Sequence, residues 1–558
     1  MRATNPKTYA LMSVLLVGSL CISAVGKTIY VDADAAGAND GSSWANTYNP
    51  LRDTLADAGV MDSRSMNVVS VPPAKRIARE LAQDTTWSGT YILEDTVVVP
   101  TGMVLNIEPG TVVLIKDAVS LIVYGQLLAE GTETEPVHFT RYRGGTKWKQ
   151  IMFIEAADSR LTHCIIEYAD SEGRHQDYYE PGPRMYHEAV VVLASHVDIE
   201  RCVFQKLPDE SANAQGDAIA IISDDQEHPG NATAHIIGSQ FLSIGQGVHT
   251  RYSYVLIEDC LFTGKRGDND DVDLYGESTP PPLIRNNLFL NPEHDDMINP
   301  TKCSAIIIGN VIAGSDDHGV VLRGRCFPVM INNLIYNCSS AGIAIENSCE
   351  ALLVNNTIVG CRRGLRLFDL GRWGPPYRLD PGGGTATVIN CVIWDCPQPV
   401  TLTDSSNKQI EDRGSHVTIK YSDIEGGLDG VSVSGTHSTL TWGHGNINAD
   451  PQFVDIDSGD YHFKSQAGRW DPSIQSWSAD DVTSPCIDAG DMSSPIGFEP
   501  FPNGGVINMG AYGGTSEASK SYFGEPVCET IIAGDINGDC KVDFADFVIM
   551  AVHWLEER

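Results

Sequence analysis

Between Leu283 and Leu367 the sequence repeats itself every 23 residues. Leu283-Ile284-Arg285-Asn286-Asn287-Leu288-Phe289 aligns without gaps on the segments that begin at Ile306, Val329 and Leu352, so Asn287, Asn310, Asn333 and Asn356 share one column. A fixed period of this size describes a solenoid, in which a unit buries its apolar face only by stacking on its neighbours. The short β-branched runs, broken by Gly and Asn, favour strands over helices.

The column continues outward through Cys164, Cys202, Gln240 and Cys260 on one side and Cys391 on the other. Apolar residues such as Ile199, Ile237 and Ile257 stand three positions before it, and Phe204, Leu242 and Phe262 two positions after. An Asn at a tight turn tolerates the left-handed conformation, and stacked Asn side chains can hydrogen-bond along a ladder. A leucine-rich repeat has a similar period and an Asn, but its L-x-x-L-x-L frame is missing here. These columns predict an all-β parallel β-helix solenoid over residues 87–445.

Residues 1–26 read as a signal peptide: Arg2 and Lys7 precede the apolar run Leu11 to Val25, and Ala24-Val25-Gly26 offers a small-residue cleavage site. That run is too short to span a membrane, and no other reaches membrane length. The expected product is secreted or held at the cell surface. A net charge of −35, from 73 acidic and 38 basic residues, argues against nucleic acid and anionic membrane as partners and is compatible with divalent cations. Thirteen cysteines follow Cys21, and export invites disulfides. Yet Cys303, Cys326 and Cys349 are each 23 apart, as are Cys338 and Cys361, with Cys396 at the same offset from its anchor. Residues in one column of a solenoid form inward ladders, where Cys acts as a small hydrophobe.

The opening Thr28-Ile29-Tyr30-Val31-Asp32, the Gly37 to Trp44 tract and the short amphipathic Leu51 to Ala58 precede polar sequence through residue 86. Residues 27–86 are therefore read as an N-terminal strand and helical cap. This opening, with Ile507-Asn508-Met509-Gly510-Ala511-Tyr512-Gly513-Gly514-Thr515 near the other end, is similar to bacterial secreted right-handed parallel β-helix (pectin-lyase-like) proteins. The resemblance implies a right-handed, single-stranded helix, expected as a monomer, with a C-terminal β-helix cap over 446–518 and a linker over 519–530.

Anchor spacing locates the loops in 170–188, 207–216 with 224–231, and 370–384. Long loops on a rigid solenoid commonly carry function. Arg174, Tyr178, Tyr179 and His187 in the first, and Arg372 and Trp373 in the last, suit a sugar-binding wall, to which Arg323 is added. Packing over the barrel is the alternative use of the same aromatics.

Asp535-Ile536-Asn537-Gly538-Asp539-Cys540-Lys541-Val542-Asp543-Phe544-Ala545-Asp546 places oxygen ligands at Asp535, Asn537, Asp539, Asp543 and Asp546, with the Lys541 carbonyl at the seventh position. A hard cation such as Ca²⁺ requires such a set. Cys540 at position 6 and Asp546 at position 12 depart from a standard EF-hand. The segment 531–558 looks like one repeat of a dockerin-type module, with a helix presenting Phe544, Phe547, Met550 and Trp554 on one face. A cohesin-like or surface anchor is the partner that resemblance implies, although full dockerins carry two such repeats. Cys528 and Cys540 flank the loop and could pair.

A second, acidic column follows the Asn turns. Asp270-Asp271-Val272, Asp295-Asp296-Met297 and Asp317-His318-Gly319-Val320 fall on successive coils, with Val272, Met297 and Val320 taken in phase. Asp271 then stacks on Asp296, and Asp270 on Asp295 and His318, with Arg363 two coils on. Coils are about 4.8 Å apart, so stacked carboxylates need a cation, a shared proton or a basic neighbour. The pattern N-D-D-x-D, D-D, D-H-G resembles the catalytic strip of polygalacturonase-like glycoside hydrolases. On that resemblance Asp271, Asp295 and Asp296 are the acid/base set and His318 supports them. The family's R-x-K is absent, with Arg363 or Arg366 the nearest substitute. Two other readings stand beside it. In one, the acids hold Ca²⁺ against a uronate carboxylate and Lys265, Arg323 or Arg363 abstracts the α proton, as in pectate-lyase-like enzymes. In the other, the acids are structural and the protein is a non-catalytic surface or adhesion protein. An acidic polysaccharide is the expected partner of both enzymatic readings.

Overall fold

The computed structural model describes residues 75–554 apart from 78, 170–185, 187, 208–215, 224–229, 265–269, 291–295, 372–379, 411–412, 525–533, 535 and 537–540. All of these belong to the unit Pro72–Arg558. Three parallel sheets wind along one axis. Sheet A has 14 strands from Thr85–Trp87 to Thr439–Trp442, sheet B 14 from Lys75–Arg76 to Asp423–Ile424, and sheet C 13 from Val97–Val99 to Val431–Ser434. Each coil contributes one strand to each sheet, as in Leu283–Arg285, Leu288–Leu290 and Ile298–Thr301. The fold is a parallel β-helix. Strands Lys75–Arg76 and Thr85–Trp87 pair with Tyr91–Ile92 and Leu105–Ile107, so regular pairing already occupies part of the tract expected to be irregular or helical.

Strands of two to six residues alternate one side chain in and one out, and the inward columns form a single core. Ile257, Ile284, Ile307, Met330, Leu353 and Val388 stack in register, as their spacing predicts. Between sheets A and B the predicted Asn ladder is present and fully buried. The Asn310 side-chain carbonyl accepts from the Asn287 backbone N–H (3.0 Å) and its amide (2.9 Å). Asn333 does the same for Asn310, and Asn356 for Asn333. Each Asn amide also reaches a carbonyl of the coil before, so every turn is satisfied without water.

The turn divides its two roles between adjacent residues. Left-handed backbone falls on the residue before each ladder position, at Asn286, Gly309, Asn332 and Asn355. Side chains of this preceding residue hold the tail: Asn332 donates to the carbonyls of Ala511 and Gly513, and Asn355 to those of Asn508 and Gly510.

One coil is displaced from expectation. Cys202 N–H donates to Ser239, not Gln240, and Ile236 and Phe241 take the inward positions assigned to Ile237 and Leu242. A one-residue slip exchanges the faces of a strand, and the long connection between Phe204 and Phe241 hid it. In the correct register Phe204, Phe241, Phe262 and Phe289 stack with ring centroids 5.1, 4.4 and 4.6 Å apart.

Eleven described cysteines are free and buried. Cys326 and Cys349 sulfurs lie 3.5 Å apart, a van der Waals contact rather than the roughly 2.05 Å of a disulfide. Burial pushes the Cys260 thiol up to about 12 and that of Cys391 up to about 11. These eleven are therefore expected to resist a thiol reagent at pH 8 in the native state and to react in denaturant. Fast native labelling beyond Cys21, Cys528 and Cys540 would contradict the ladder assignment.

After Trp442 the chain forms two antiparallel hairpins, Phe453–Asp455 with Asp460–Phe463 and Arg469–Asp471 with Ser476–Ser478. Tyr461, Phe463 and Met509 pack on Leu334, Val359 and Val392, the outward side chains of sheet B. The tract expected to cap the end of the helix thus lies along its flank. Further on, Phe544–Trp554 is a helix, with the Asp543 carboxylate accepting from Ala545 N–H at its start (2.7 Å). Its Phe544 and Phe547 are exposed. No helix among the described residues is long and apolar enough to cross a membrane.

Candidate functional site

The acidic residues gather where sheet B turns into sheet C. Val248, Val272, Ile298, Val320 and Ile343 share an inward column of sheet C. Met297 is therefore one residue out of phase with Val272. The connections from sheet B shorten by one residue per coil, spanning 264–271, 291–297 and 314–319, so aligning the acids by their pattern misplaced one coil.

In the observed register Asp270, Asp296, His318 and Arg363 share a column, which Glu188, Asp217 and Gln246 extend in the other direction. Asp271 takes the next column with Ala218 and Met297, both core residues, and Val272 N–H donates to the Met297 carbonyl. The expected Asp271–Asp296 pair is not formed. Asp295 lies outside the described residues, as do Arg174, Tyr178, Tyr179, His187, Arg372, Trp373 and Lys265.

Part of this column is turn chemistry. Asp217 accepts from Gln246 N–H (2.7 Å) and Asp296 from His318 N–H (3.2 Å), each carboxylate satisfying the turn of the following coil. Asp296 then does more. Its Oδ1 also meets His318 Nδ1 at 2.9 Å, and its Oδ2 accepts from Arg323 Nη2 at 3.0 Å. Arg323 Nε donates to buried Glu346, and His318 Nδ1 lies 3.1 Å from Asp317. On the other side Ser340 Oγ is 3.4 Å from His318 Nε2.

Burial works against charge on His318, but the hydrogen bonds and charges of Asp296 and Asp317 outweigh it and raise its pKa to about 9. Burial likewise opposes ionisation of Asp317, yet its contact with His318 holds the carboxyl below the usual range. Glu346 is pushed up, because burial outweighs the attraction of Arg323. Arg323, expected to meet substrate, is instead held between Asp296 and Glu346 and positions Asp296.

Arg363 and Arg366 lie on the strand Arg363–Phe368 two coils beyond His318, with Arg366 stacked 3.6 Å above Phe368. Burial and then the neighbouring cations, Arg362 for Arg363 and Arg363 and Arg362 for Arg366, lower both pKa values. Neither guanidinium has a bonded carboxylate among the described residues. Sequence reasoning missed Glu346 as a member of the cluster and gave Asp317, which it placed in the acidic column, no role of its own. Glu346 was within reach, since it stands one 23-residue step beyond Arg323.

Asp296, Asp317 and His318 each offer a ligand atom within 4.8 Å of the others. A hard cation fits poorly there, because Arg323 and a charged His318 already occupy the Asp296 oxygens. In the C-terminal loop Asp535, Asn537 and Asp539 lie outside the described residues, while Asp546 accepts from Ile536 N–H (2.7 Å) and Asp543 N–H (2.8 Å). Asp546 thus ties the start of the loop to its end.

Residues 220–372 match the family model for a right handed beta helix region, and residues 430–490 match that for a disaggregatase-related family. No curated protein matches the sequence. Solved structures similar to this chain include the periplasmic alginate epimerase AlgG, at 13% identity and TM-score 0.32 over 60% of this chain and 78% of the other. The PL6 family alginate lyase AlyGC is 13% identical with a TM-score of 0.30, over 68% and 55%. Pectate lyase Pel9A is 12% identical with a TM-score of 0.25, over 87% and 95%.

Proposed function

We propose that the protein binds and cleaves an acidic polysaccharide beside the turn from sheet B into sheet C, with Arg363 and Arg366 receiving uronate carboxylates and His318 moving the proton. The arginine pair carries this reading. On a chain of net charge −35, two neighbouring guanidinium groups stand without a bonded acid among the described residues and repel each other. A carboxylate ligand relieves that repulsion through charge-assisted hydrogen bonds.

Neutralising a uronate carboxylate acidifies the adjacent C–H. The neutral fraction of His318, which grows as pH rises towards its pKa of about 9, takes that proton; the C4–O bond breaks as the C4–C5 double bond forms, and the imidazolium so formed returns the proton to the departing oxygen. Elimination is favoured over two-carboxylate hydrolysis because Asp296 is ion-paired on both oxygens and Asp271 stands in a core column. Export through residues 1–26 and Ca²⁺ in the loop 535–546 belong to the same reading, supported by their sequence patterns.

Incubation with a panel of polyuronides tests it. Unsaturated product is expected. Reducing ends without unsaturation would mean hydrolysis, and no change with any polymer would sink the enzymatic reading. Arg363→Ala/Arg366→Ala is expected to weaken polyuronide binding about 10-fold or more and to flatten its salt dependence, measured by calorimetry at two ionic strengths.

A further inference from the structure

On sheet A, away from the acidic column, three metal-ligating side chains share one outward patch that the proposed reaction does not use. His196 and Asp198 lie two residues apart on the strand His196–Glu200, and His235 pairs directly with Asp198 on the strand Thr233–Ile237. Their inward neighbours Val197, Ile199, Ala234 and Ile236 are in the core, which fixes both strands.

His196 Nε2 is 3.2 Å and His235 Nδ1 3.0 Å from the same oxygen, Asp198 Oδ1. Tetrahedral Zn²⁺ with bonds of about 2.0–2.1 Å places its ligands about 3.3 Å apart. Two of the three separations thus already match the spacing a shared ion demands, and all three ligand atoms lie within 4.8 Å of one another. Asp198 Oδ2 faces Arg160 instead, at 3.8 Å, so the two carboxylate oxygens serve different partners. Thr233 Oγ1 lies 2.7 Å from His196 Nδ1. With an ion bound, Thr233 Oγ1 is placed to accept the Nδ1 proton and leave the Nε2 lone pair to the metal, as an outer partner of a metal-bound His does.

We infer that His196, Asp198 and His235 form a zinc site on sheet A, with the fourth position open to water. Two imidazoles and one carboxylate select a borderline transition ion rather than Ca²⁺. A divalent ion there clamps two successive coils and replaces the hydrogen bonds now drawn to Asp198.

The test uses the full chain, stripped with chelator and titrated with Zn²⁺ in excess Ca²⁺ to occupy oxygen-only sites. Competition with a chromogenic chelator should reveal one equivalent that is lost in Asp198→Ala and His235→Ala and retained in His318→Gln. Thr233→Val, which leaves all three ligands in place, should weaken it about 10- to 100-fold. Metal-free melting curves matching the wild type establish that each variant is folded. If His235→Ala melts early, Thr233→Val and Co²⁺ absorption of the wild type carry the test. The inference is overturned if the wild type takes up no stoichiometric zinc, if Asp198→Ala keeps it, or if it disappears in His318→Gln.

Discussion

Arg323→Ala is expected to lower stability by about 3–5 kcal/mol, because it removes one partner from a buried ionic network. Arg323 bridges Asp296 through Nη2 and Glu346 through Nε, and both acids are almost wholly buried. Without the guanidinium, two carboxylates remain in a site with little water. They can relieve the cost by taking up protons, so the deficit should be larger at pH 8 than at pH 5. Lysine should restore little, since one ammonium cannot reproduce a fork that serves two acids on adjacent coils. Denaturant unfolding at both pH values checks this. A loss below about 1 kcal/mol, the range of an exposed ion pair, would mean that the network is solvated.

His318→Gln is expected to reduce turnover of a polyuronide by about 10²–10⁴-fold, the usual contribution of a positioned proton-transfer group. It should also change how stability depends on pH. With a folded pKa of about 9 against about 6.5 unfolded, the charged ring stabilises the folded state fully below pH 6.5. That contribution fades as pH rises through 9, and is on the order of 3 kcal/mol. The wild type should therefore lose stability between pH 6.5 and 9, and His318→Gln should lose much less. Equal slopes for the two proteins would show that His318 is not held charged by Asp296 and Asp317.

The sequence carried the coil because Asn287, Asn310, Asn333 and Asn356 recur every 23 residues and each hydrogen-bonds to the next. Where a loop interrupted it, the one-residue register failed, as at Ser239. The same failure displaced the acidic column, since the connections into sheet C shorten coil by coil and only strand pairing reveals that Ile298, not Met297, stands beside Val272. Arg323 was legible as a cation near the acids, but its partners required knowing which side chains are buried. The flank position of the tail rests on contacts such as Asn332 with Ala511, 179 residues apart, where no local pattern reaches.

The most direct measurement of the central claim is absorbance of unsaturated product during incubation of the full chain with a uronate polymer, compared with His318→Gln and Arg363→Ala/Arg366→Ala. The account predicts steady product from the wild type and a loss of at least about 10²-fold in His318→Gln with unchanged spectra of the folded protein. It also predicts a lower affinity in the arginine variant. Product formed at the wild-type rate by His318→Gln, or none by the wild type with any polyuronide, would contradict it.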